Sequence, residues 1–335
     1  MHIILATIYN SIYIFHAQYI TLLPMSLNTP IAFIAFNRPR HTAKTFEIIR
    51  AQQPKTLLLV LDGPRKGHPS DEQNCTAVRG ILENIDWPCQ VHRNYSDVNL
   101  GCKNRLNSGL NWVFETVEEA IILEDDCCPN DDFFVFCEAM LAKYRHNDGI
   151  MSITGNNFQD GHKRGDAAYY FSKYNHIWGW ATWRRSWQKN DQALSFWPKW
   201  KISRAWELHT PYAAERRHWT KIFDQMYRNE IDTWDHPWTC NIWHHDGLIV
   251  TPNANLVTNI GFGPEGTHTL AKTDQDGLPT CALGPLTHPQ TIQQDMVADR
   301  YVFDHLLGGL DYQWHWWLLR LPKRAFRKIR HLLGK

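Results

Sequence analysis

A short apolar run that ends in three consecutive acids constrains this chain more than any other stretch. Ala120–Leu123 is apolar and is followed directly by Glu124, Asp125 and Asp126. The apolar part predicts a buried strand, with the acids placed where that strand leaves its sheet. Three adjacent carboxylates repel one another unless a cation lies among them. The alternative interpretation is a solvated acidic turn.

A divalent metal ion would relieve this repulsion. Hard cations such as Mn²⁺ or Mg²⁺ prefer oxygen ligands and usually keep coordination positions open for substrate phosphates. A strand end that combines carboxylates, a metal and a diphosphate is the arrangement of a nucleotide-sugar site. The acidic triplet therefore favours a site for a metal ion and a nucleotide sugar.

Composition narrows the class of protein. The 335 residues suffice for one large domain or two ordinary ones, and 43% hydrophobic with 21% charged residues indicates a folded chain. A net charge of +1 gives no strong field toward nucleic acid, so no nucleic-acid partner is expected. The 16 Trp favour a carbohydrate ligand, since Trp stacks on sugar rings. The eight Cys form no CxxC pair, which predicts reduced thiols in a cytosolic protein; a secreted, disulfide-bearing protein is the alternative.

Strand and helix patterns alternate along the chain from Pro30 onward. The predicted strands are 31–36, 56–61, 90–93, 120–124, 149–154 and 248–252. The predicted helices are 71–84, 103–117 and 133–144, with an earlier one capped by Thr42. The polar segments 155–175 and 259–285 are predicted to be loops. This alternation predicts an α/β fold with a mostly parallel sheet flanked by helices.

Three polar segments fall at the ends of predicted strands. Arg38 follows the first strand, Asp62 follows the second, and the acids 124–126 follow the fourth. In parallel sheets, ligands bind beyond the carboxyl ends of the strands. The sequence therefore predicts that these three segments converge on one crevice.

Five segments in this order resemble the metal-dependent glycosyltransferases with the GT-A fold. The similarity is greatest to the N-acetylglucosaminyltransferase I group and its bacterial relatives. The segments are Ile34–Arg38, Val60–Gly63, Ile122–Asp126, Gly179–Trp183 and Trp234–Trp238. The resemblance spans roughly residues 30–272 and implies a GT-A, Rossmann-like nucleotide-diphospho-sugar transferase fold. Asp235-His236-Pro237 departs from the family, which usually has a second acid there.

The resemblance implies roles for the donor-side residues. Arg38 and Asp62 are expected to hold the uridine of a UDP-sugar. Asp126 is expected to bind Mn²⁺ or Mg²⁺ directly, with Asp125 contacting the ribose or the metal-bound waters. Glu124 is expected to lie nearest the donor sugar. When bound, the metal would neutralise charge that develops on the leaving diphosphate.

Three donor-side assignments keep open alternatives. Asp62 could instead cap a turn with Gly63. Arg105 is a candidate for the nucleotide, with an exposed helix arginine as the alternative. His268 lies in a segment that resembles the closing loop over the donor. It is a candidate to contact the metal or the diphosphate, and the alternative is that it has no role in the site. Gly261 lies in the same loop and would give the loop the conformational freedom to close over the donor.

Asp235 is the predicted general base for an inverting transfer. Such a reaction needs one carboxylate to take the proton of the acceptor hydroxyl, and no covalent nucleophile. Trp234 and Trp238 could desolvate this carboxylate and offer a stacking surface. The alternatives are that Asp235 caps a helix or that Asp232 is the base.

Two adjacent histidines, His244 and His245, invite a metal interpretation together with Asp246. Neighbouring residues of a strand point to opposite faces, so these two imidazoles could not easily bind one ion. We therefore expect surface or hydrogen-bonded histidines here.

Four segments are predicted along the chain. They are an apolar N-terminal extension (1–29), a nucleotide-sugar-binding half (30–130), an acceptor-binding half with a closing loop (131–290) and a C-terminal helical basic tail (291–335). Residues 1–24 carry no charged side chain and are interpreted as an upstream extension, with a membrane anchor and an ordered element as alternatives. Residues 312–335 hold seven Lys or Arg interleaved with apolar residues, which favours an anionic membrane surface.

The sequence thus predicts an inverting glycosyltransferase that is cytoplasmic, with peripheral attachment to the inner face of the membrane. It would move a sugar such as N-acetylglucosamine from a UDP-sugar to a glycan or lipid-linked acceptor. A non-catalytic carbohydrate-binding protein and a metal-dependent nucleotide-sugar phosphoesterase are the alternatives. Acceptor loops vary freely on one fold, so the acceptor is not specified.

Overall fold

The computed structural model describes residues 26–262 and 277–312. Its centre is an eight-stranded mixed sheet with helices on both faces, and a two-stranded sheet lies beside it. The predicted α/β fold with a mostly parallel sheet flanked by helices is confirmed. The greater part of the N-terminal extension, His268 in the closing loop, and the basic tail beyond Tyr312 lie outside the described residues.

The strands are short and mostly buried. They are β1 (Ile31–Ala35), β2 (Thr56–Leu61), β3 (Gln90–Tyr95), β4 (Glu119–Glu124), β5 (Cys127–Pro129), β6 (Ile150–Thr154), β7 (Tyr169–Ser172), β8 (Trp180–Trp183), β9 (Leu248–Pro252) and β10 (Val257–Asn259). The large sheet has the order β3-β2-β1-β4-β8-β6-β9-β7, and β5 pairs with β10 in the small one.

Helices connect most of these strands. They are α1 (Pro39–Gln52), α2 (Pro69–Leu82), α3 (Cys102–Thr116), α4 (Asp131–Tyr144), α5 (Arg184–Trp187), α6 (Trp197–Trp200), α7 (Arg204–His209), α8 (Ala213–Tyr227), α9 (Asp235–His244) and α10 (Met296–His305). A 3₁₀ turn, Gly309–Tyr312, follows α10.

The first strand shows why the sheet is covered on both sides. All five of its residues are buried. Ile31, Phe33 and Ala35 pack into the core on one face, whereas Ala32 and Ile34 pack into a second core on the other. Successive strand residues point to opposite faces, so a continuous apolar strand needs two cores.

Strands β1 to β4 are mutually parallel, which brings their carboxyl ends to one edge. Strand β8 then runs antiparallel to both β4 and β6. Gly179 precedes β8 with a φ of +76°, a backbone conformation that side chains disfavour. A Cβ added there would lie 2.8 Å from Val257 Cγ2, so both conformation and space require glycine.

Three local predictions are wrong. The first helix begins at Pro39 and not after Thr42, because proline at the first helical position needs no backbone N–H partner. The segment 155–175 contains β7, which pairs antiparallel with β9. The polar composition of the segment gives no sign of this strand. His244 and His245 end a helix and do not lie in a strand.

Residues 26–29, which the sequence assigns to the extension, pack on the domain. The N–H of Leu27 donates to the carbonyl of Gln52 at 3.2 Å, and the N–H of Lys55 donates back to the carbonyl of Leu27 at 3.0 Å. The N–H of Thr29 donates to Glu138 Oε1 at 3.1 Å. These contacts align the chain before it enters β1.

Candidate active site

A cleft of about 290 Å³ opens where β1 and β4 end. It combines acidic, basic and aromatic side chains from both predicted halves of the chain. Its lining residues are Arg38, Cys102, Glu124, Asp126, Ile177, Trp178, Thr233, Trp234, Asp235, Asn259, Gly261 and Phe262. The predicted metal ligand and the predicted base therefore face the same space.

Arg38 pairs with two acids of the triplet. Its Nη2 donates to Asp126 Oδ2 at 2.9 Å and also to Asp125 Oδ1, while Nε donates to Asp125 Oδ2 at 3.3 Å. These residues follow the adjacent parallel strands β1 and β4, whose ends lie side by side. The protein thus supplies part of the positive charge that the three carboxylates require.

One guanidinium does not balance this group of carboxylates. Burial, followed by the charges of Asp126 and Asp125, raises the pKa of Glu124 to about 8. Burial also raises the pKa of Asp125, although Arg38 opposes this shift. Burial alone would lower the pKa of Arg38, but the charges of Asp125 and Asp126 raise it. Burial and the neighbouring carboxylates therefore disfavour the ionised forms of Glu124 and Asp125.

The segment after β10 closes around Asp126. Asn259 Nδ2 donates to Asp126 Oδ1 at 3.3 Å, and the N–H of Ile260 donates to the carbonyl of Asp126 at 2.9 Å. A Cβ added at Gly261 would lie 2.8 Å from Asp126 Cγ. The absence of a side chain at Gly261 therefore permits this close approach, and Asn259 was not singled out from the sequence.

Asp235 is the first residue of α9 and also lines the cleft. Its carboxylate accepts a hydrogen bond from the hydroxyl of Thr233 and lies 3.4 Å from Nδ1 of His236. Its side chain keeps 26% of its surface exposed, so a ligand could reach it. The alternative base Asp232 is exposed and does not line the cleft.

Aromatic rings form one wall of the cleft. Trp178 meets Phe262 edge to face, with centroids 5.4 Å apart. Trp234 lines the cleft and stacks on Trp180 at 5.7 Å. Trp238 was expected to help form a stacking surface, but this is wrong because it is fully buried in the core. The rings of Trp178 and Phe262 supply that surface instead.

Asp62 does not line the cleft. Its buried carboxylate accepts hydrogen bonds from the N–H groups of Gly63 (2.9 Å), Leu100 (2.9 Å) and Gly101 (3.2 Å) and from Nδ2 of Asn99 (3.0 Å). Burial raises the pKa of Asp62, and these hydrogen bonds oppose the shift. Asp62 therefore anchors the loop that precedes α3, as the turn-capping alternative predicted.

Arg105 is buried, so the alternative of an exposed helix arginine is wrong. Its Nη2 donates to the carbonyl and to the Oδ1 of Asn94, the latter at 2.9 Å. The charge of Asp62 acts on it from nearby. Arg105 thus belongs to the structural network beneath the Asp62 loop and does not line the cleft.

Cys102 lines the cleft but is a poor nucleophile. Burial, followed by the charges of Glu124, Asp232 and Asp235, raises its pKa. A thiol must ionise to attack, and these carboxylates disfavour the thiolate. The cleft therefore offers carboxylates as its reactive groups.

Outside the cleft, His244 packs face to face on Phe196, with centroids 3.8 Å apart. Burial, followed by the charge of His245, lowers its pKa. Within residues 26–262 and 277–312, no three His, Cys, Asp or Glu side chains are grouped to hold a metal ion.

The chemistry of the cleft nevertheless suits a hard cation. Glu124, Asp126 and Asp235 line this cleft without being grouped to hold one ion together, and carboxylate oxygen is the donor type that Mg²⁺ and Mn²⁺ prefer. Such ions commonly take one or two protein carboxylates and complete their coordination with phosphate and water. A bound cation would in turn favour the ionised forms of these carboxyl groups. Glu124 and Asp126 line this space, whereas Asp125 does not.

No protein-family model matches the sequence, and no curated protein sequence matches it. Several solved structures are distantly similar. A 4-diphosphocytidyl-2C-methyl-D-erythritol synthase from Anaerococcus prevotii is 10% identical, with 67% of this chain and 88% of that chain covered and a TM-score of 0.35. A mannosyltransferase from Pyrobaculum calidifontis, solved with GDP-Man and Mn²⁺, is 12% identical, with 66% and 71% covered and a TM-score of 0.34.

A mannose-1-phosphate geranyltransferase from Thermus thermophilus is 9% identical, with 67% of this chain and 73% of that chain covered and a TM-score of 0.32. At these values the likeness is limited to part of the fold and carries no information on activity. The description of the site therefore depends on the geometry of this chain.

None of the helices in the described ranges is long and apolar enough to span a lipid bilayer.

Proposed function

We propose that this protein is a metal-dependent, inverting glycosyltransferase that uses a UDP-sugar. The observation that carries the proposal is that Asp126 and Asp235, from the two halves of the chain, line one cleft. A transferase of this kind needs a diphosphate-binding side and a base on the acceptor side, with space for a sugar between them. The sugar would be N-acetylglucosamine or a close relative, and Mn²⁺ or Mg²⁺ would be the metal.

The donor half, residues 30–130, would hold the nucleotide and the diphosphate. Asp126 would bind the metal directly, and Arg38 would place a second positive charge beside it. When bound, the metal would stabilise negative charge on the departing diphosphate. Glu124 would lie against the donor sugar because it lines the same cleft.

The acceptor half, residues 131–290, would supply the base. The acceptor hydroxyl oxygen would attack the anomeric carbon from the face opposite the diphosphate. A new carbon–oxygen bond would form as the bond to the diphosphate breaks, and UDP would leave with the bonding electrons. Asp235 would take the hydroxyl proton, and Thr233 holds its carboxylate in place by a hydrogen bond.

The proposal can be tested with a panel of UDP-sugars and GDP-sugars in the presence of Mn²⁺. A ligand bound only by the folded state raises the melting temperature, so the donor should give metal-dependent stabilisation. Asp126→Ala should remove that response. Asp97→Ala is a matched control because the Asp97 side chain is 97% exposed. Equal stabilisation of wild type and Asp126→Ala would reject the metal assignment.

Product analysis separates the proposed function from its alternatives. Transfer releases UDP and yields a glycoside, whereas a phosphoesterase releases products with no acceptor present. A carbohydrate-binding protein would bind sugar in both wild type and Asp126→Ala. Asp235→Asn should keep donor binding and lose transfer. Full transfer by Asp235→Asn would reject Asp235 as the base.

We also propose that residues 312–335 attach the protein to an anionic membrane surface. The support is compositional: seven Lys or Arg lie among Trp, Leu, Phe and Ile. Such attachment would suit a glycan or lipid-linked acceptor. Removal of residues 320–335 should release the protein from vesicles that contain anionic lipid. Unchanged binding to those vesicles would contradict the proposal.

A further inference from the structure

A second cavity, of about 160 Å³, adjoins the cleft on the side of Asp235. It shares Ile177, Trp178 and Asp235 with the cleft, so the two spaces meet at the proposed base. Its remaining walls come from the segments before and after β7, from α8 and α9, and from the end of α10. This cavity is therefore placed where an acceptor would approach Asp235.

Two asparagines in the cavity wall have unpartnered amide atoms. Neither Nδ2 nor Oδ1 of Asn175 has a hydrogen-bond partner among the described residues, and both atoms are buried. Asn156 is fully buried and donates from Nδ2 to the carbonyl of Val257 at 3.2 Å. The Oδ1 of Asn156 has no hydrogen-bond partner among the described residues. Buried amide groups without partners are costly, which points to a ligand that supplies both donors and acceptors.

Aromatic rings form the other walls of the cavity. Phe158 meets Trp178 edge to face at 5.4 Å and His176 at 4.7 Å. Trp219 also lines the cavity, and its indole N–H donates to the hydroxyl of Tyr174 at 3.3 Å. Aromatic faces beside amide groups are the combination that receives a sugar ring, whose C–H faces are apolar and whose hydroxyls are polar.

Charge restricts the ligand further. Asp235 and His236 are the titratable carboxylate and imidazole groups at the mouth of the cavity, together with His176 in its wall. No Lys or Arg side chain lines the cavity in the described ranges. A phosphate or carboxylate on the ligand would meet Asp235 without a compensating cation, and this is unfavourable at low dielectric.

We propose that this cavity binds a neutral sugar ring of the acceptor and presents one of its hydroxyls to Asp235. The inference rests on the proposed transferase function and specifies its acceptor as an uncharged sugar. Asn175 and Asn156 would bind hydroxyls of that ring, and Phe158 and Trp178 would contact its C–H face. The volume suits a single ring, with the rest of a longer acceptor outside.

Binding of neutral and charged sugars tests the inference. The probes are the methyl glycosides of glucose, galactose, mannose and N-acetylglucosamine, with glucuronic acid and glucose 6-phosphate as charged counterparts. Saturation-transfer NMR with wild type, with and without UDP and Mn²⁺, should detect at least one neutral glycoside. Glucuronic acid and glucose 6-phosphate should bind more weakly than the neutral probes.

Asn175→Leu is the decisive variant because it replaces the unpartnered amide by an apolar group of similar size. It should lower affinity for the neutral probe about tenfold, as expected for lost hydrogen bonds to a buried amide. Its melting temperature should not fall, since the side-chain amide has no hydrogen bond to lose within the described structure. Asn84→Leu, at an exposed asparagine, is the matched control.

The outcomes separate this inference from the proposed function. Loss of probe binding in Asn175→Leu with unchanged UDP binding supports the acceptor cavity. Wild-type probe affinity in that variant, tighter binding of the charged probes, or no binding of any neutral glycoside overturns it. If Asn175→Leu does not fold, Phe158→Leu removes the aromatic wall and must show the same loss. Failure of every nucleotide sugar to bind wild type would instead reject the transferase.

Discussion

Arg38 donates a hydrogen bond to Asp126 across 2.9 Å, and the same guanidinium pairs with Asp125. Its side chain is 15% exposed, and those of Asp125 and Asp126 are 4% and 16% exposed. Asp126 would therefore have two roles. It is proposed to bind a metal ion, and it is also the hydrogen-bond partner of the largely buried Arg38. Any metal at Asp126 therefore acts beside an existing positive charge.

Arg38→Met should destabilise the protein in the absence of metal, by roughly 3 kcal/mol in the free energy of unfolding. The reason is that two carboxylates would lose their buried partner. Mn²⁺ should then stabilise the variant more than wild type, since it replaces the missing cation. Chemical denaturation in EDTA and in Mn²⁺ measures both effects.

Arg40→Met is the control for that experiment, because Arg40 is two residues further on and exposed. It should leave both the free energy of unfolding and the Mn²⁺ response as in wild type. Equal stabilisation of Arg38→Met and wild type by Mn²⁺ would show that the ion does not act at this pair.

The strand ends that carry the acidic triplet were predictable from the sequence, because each strand and its terminal acids lie within one short segment. Runs such as Thr56–Leu61 and Ala120–Leu123 are continuous apolar segments that predict buried strands, and β4 ends at the first acid of the triplet, Glu124. The partner of the acids was less predictable. The family resemblance implies a uridine role for Arg38, and it does not specify the pairing of Arg38 with Asp125 and Asp126 that the structure shows.

The second half of the sheet was harder to predict for a different reason. Strand β7 lies within the largely polar segment 155–175, and its place beside β9 depends on pairing with residues about 80 positions away in sequence. The neutral cavity beside Asp235 likewise draws on widely separated segments. No short motif marks such a site, so only the fold reveals it.

Gly261→Ala should weaken Mn²⁺-dependent UDP binding by about tenfold, or about 1.4 kcal/mol. The added Cβ would lie 2.8 Å from Asp126 Cγ, and Asp126 is already held by Arg38 and Asn259. Isothermal titration with UDP and Mn²⁺ measures the loss. Gly80→Ala is the control, since nothing lies within 4 Å of its Cβ position. Unaltered UDP affinity in Gly261→Ala would mean that the loop moves away when ligand binds.

Asp62→Asn should lower the free energy of unfolding by about 2 kcal/mol. The carboxylate accepts hydrogen bonds from three backbone N–H groups, and an amide NH₂ would face one of these donors. UDP affinity should change less than stability if Asp62 is an anchor and not a base-binding residue. Urea denaturation and UDP titration, with Asp97→Asn as control, measure the two quantities. A large loss of UDP affinity with unchanged stability would restore the uridine role.

His209 should make the protein less stable in acid. It packs between tryptophans, with its ring centroid 5.0 Å from that of Trp243, and its Nε2 has no hydrogen-bond partner within the described residues. Burial, followed by the charge of Lys173, lowers its pKa to about 3 from the usual 6.5. Above pH 6.5 the imidazole is neutral in both the folded and the unfolded chain, so it has no effect on the pH dependence there.

As pH falls from 6.5 toward 3, the unfolded imidazole takes up a proton and the folded one does not. Protonation of His209 in the unfolded chain therefore lowers the free energy of unfolding by about 1.4 kcal/mol for each pH unit in this range. His209→Phe should remove that contribution, so the variant should lose less stability than wild type between pH 6.5 and pH 4.5. Urea denaturation at several pH values measures the difference. His68→Phe, at an exposed histidine, should follow the wild-type curve. Parallel curves for His209→Phe and wild type would mean that the folded protein protonates His209 as readily as the unfolded chain does.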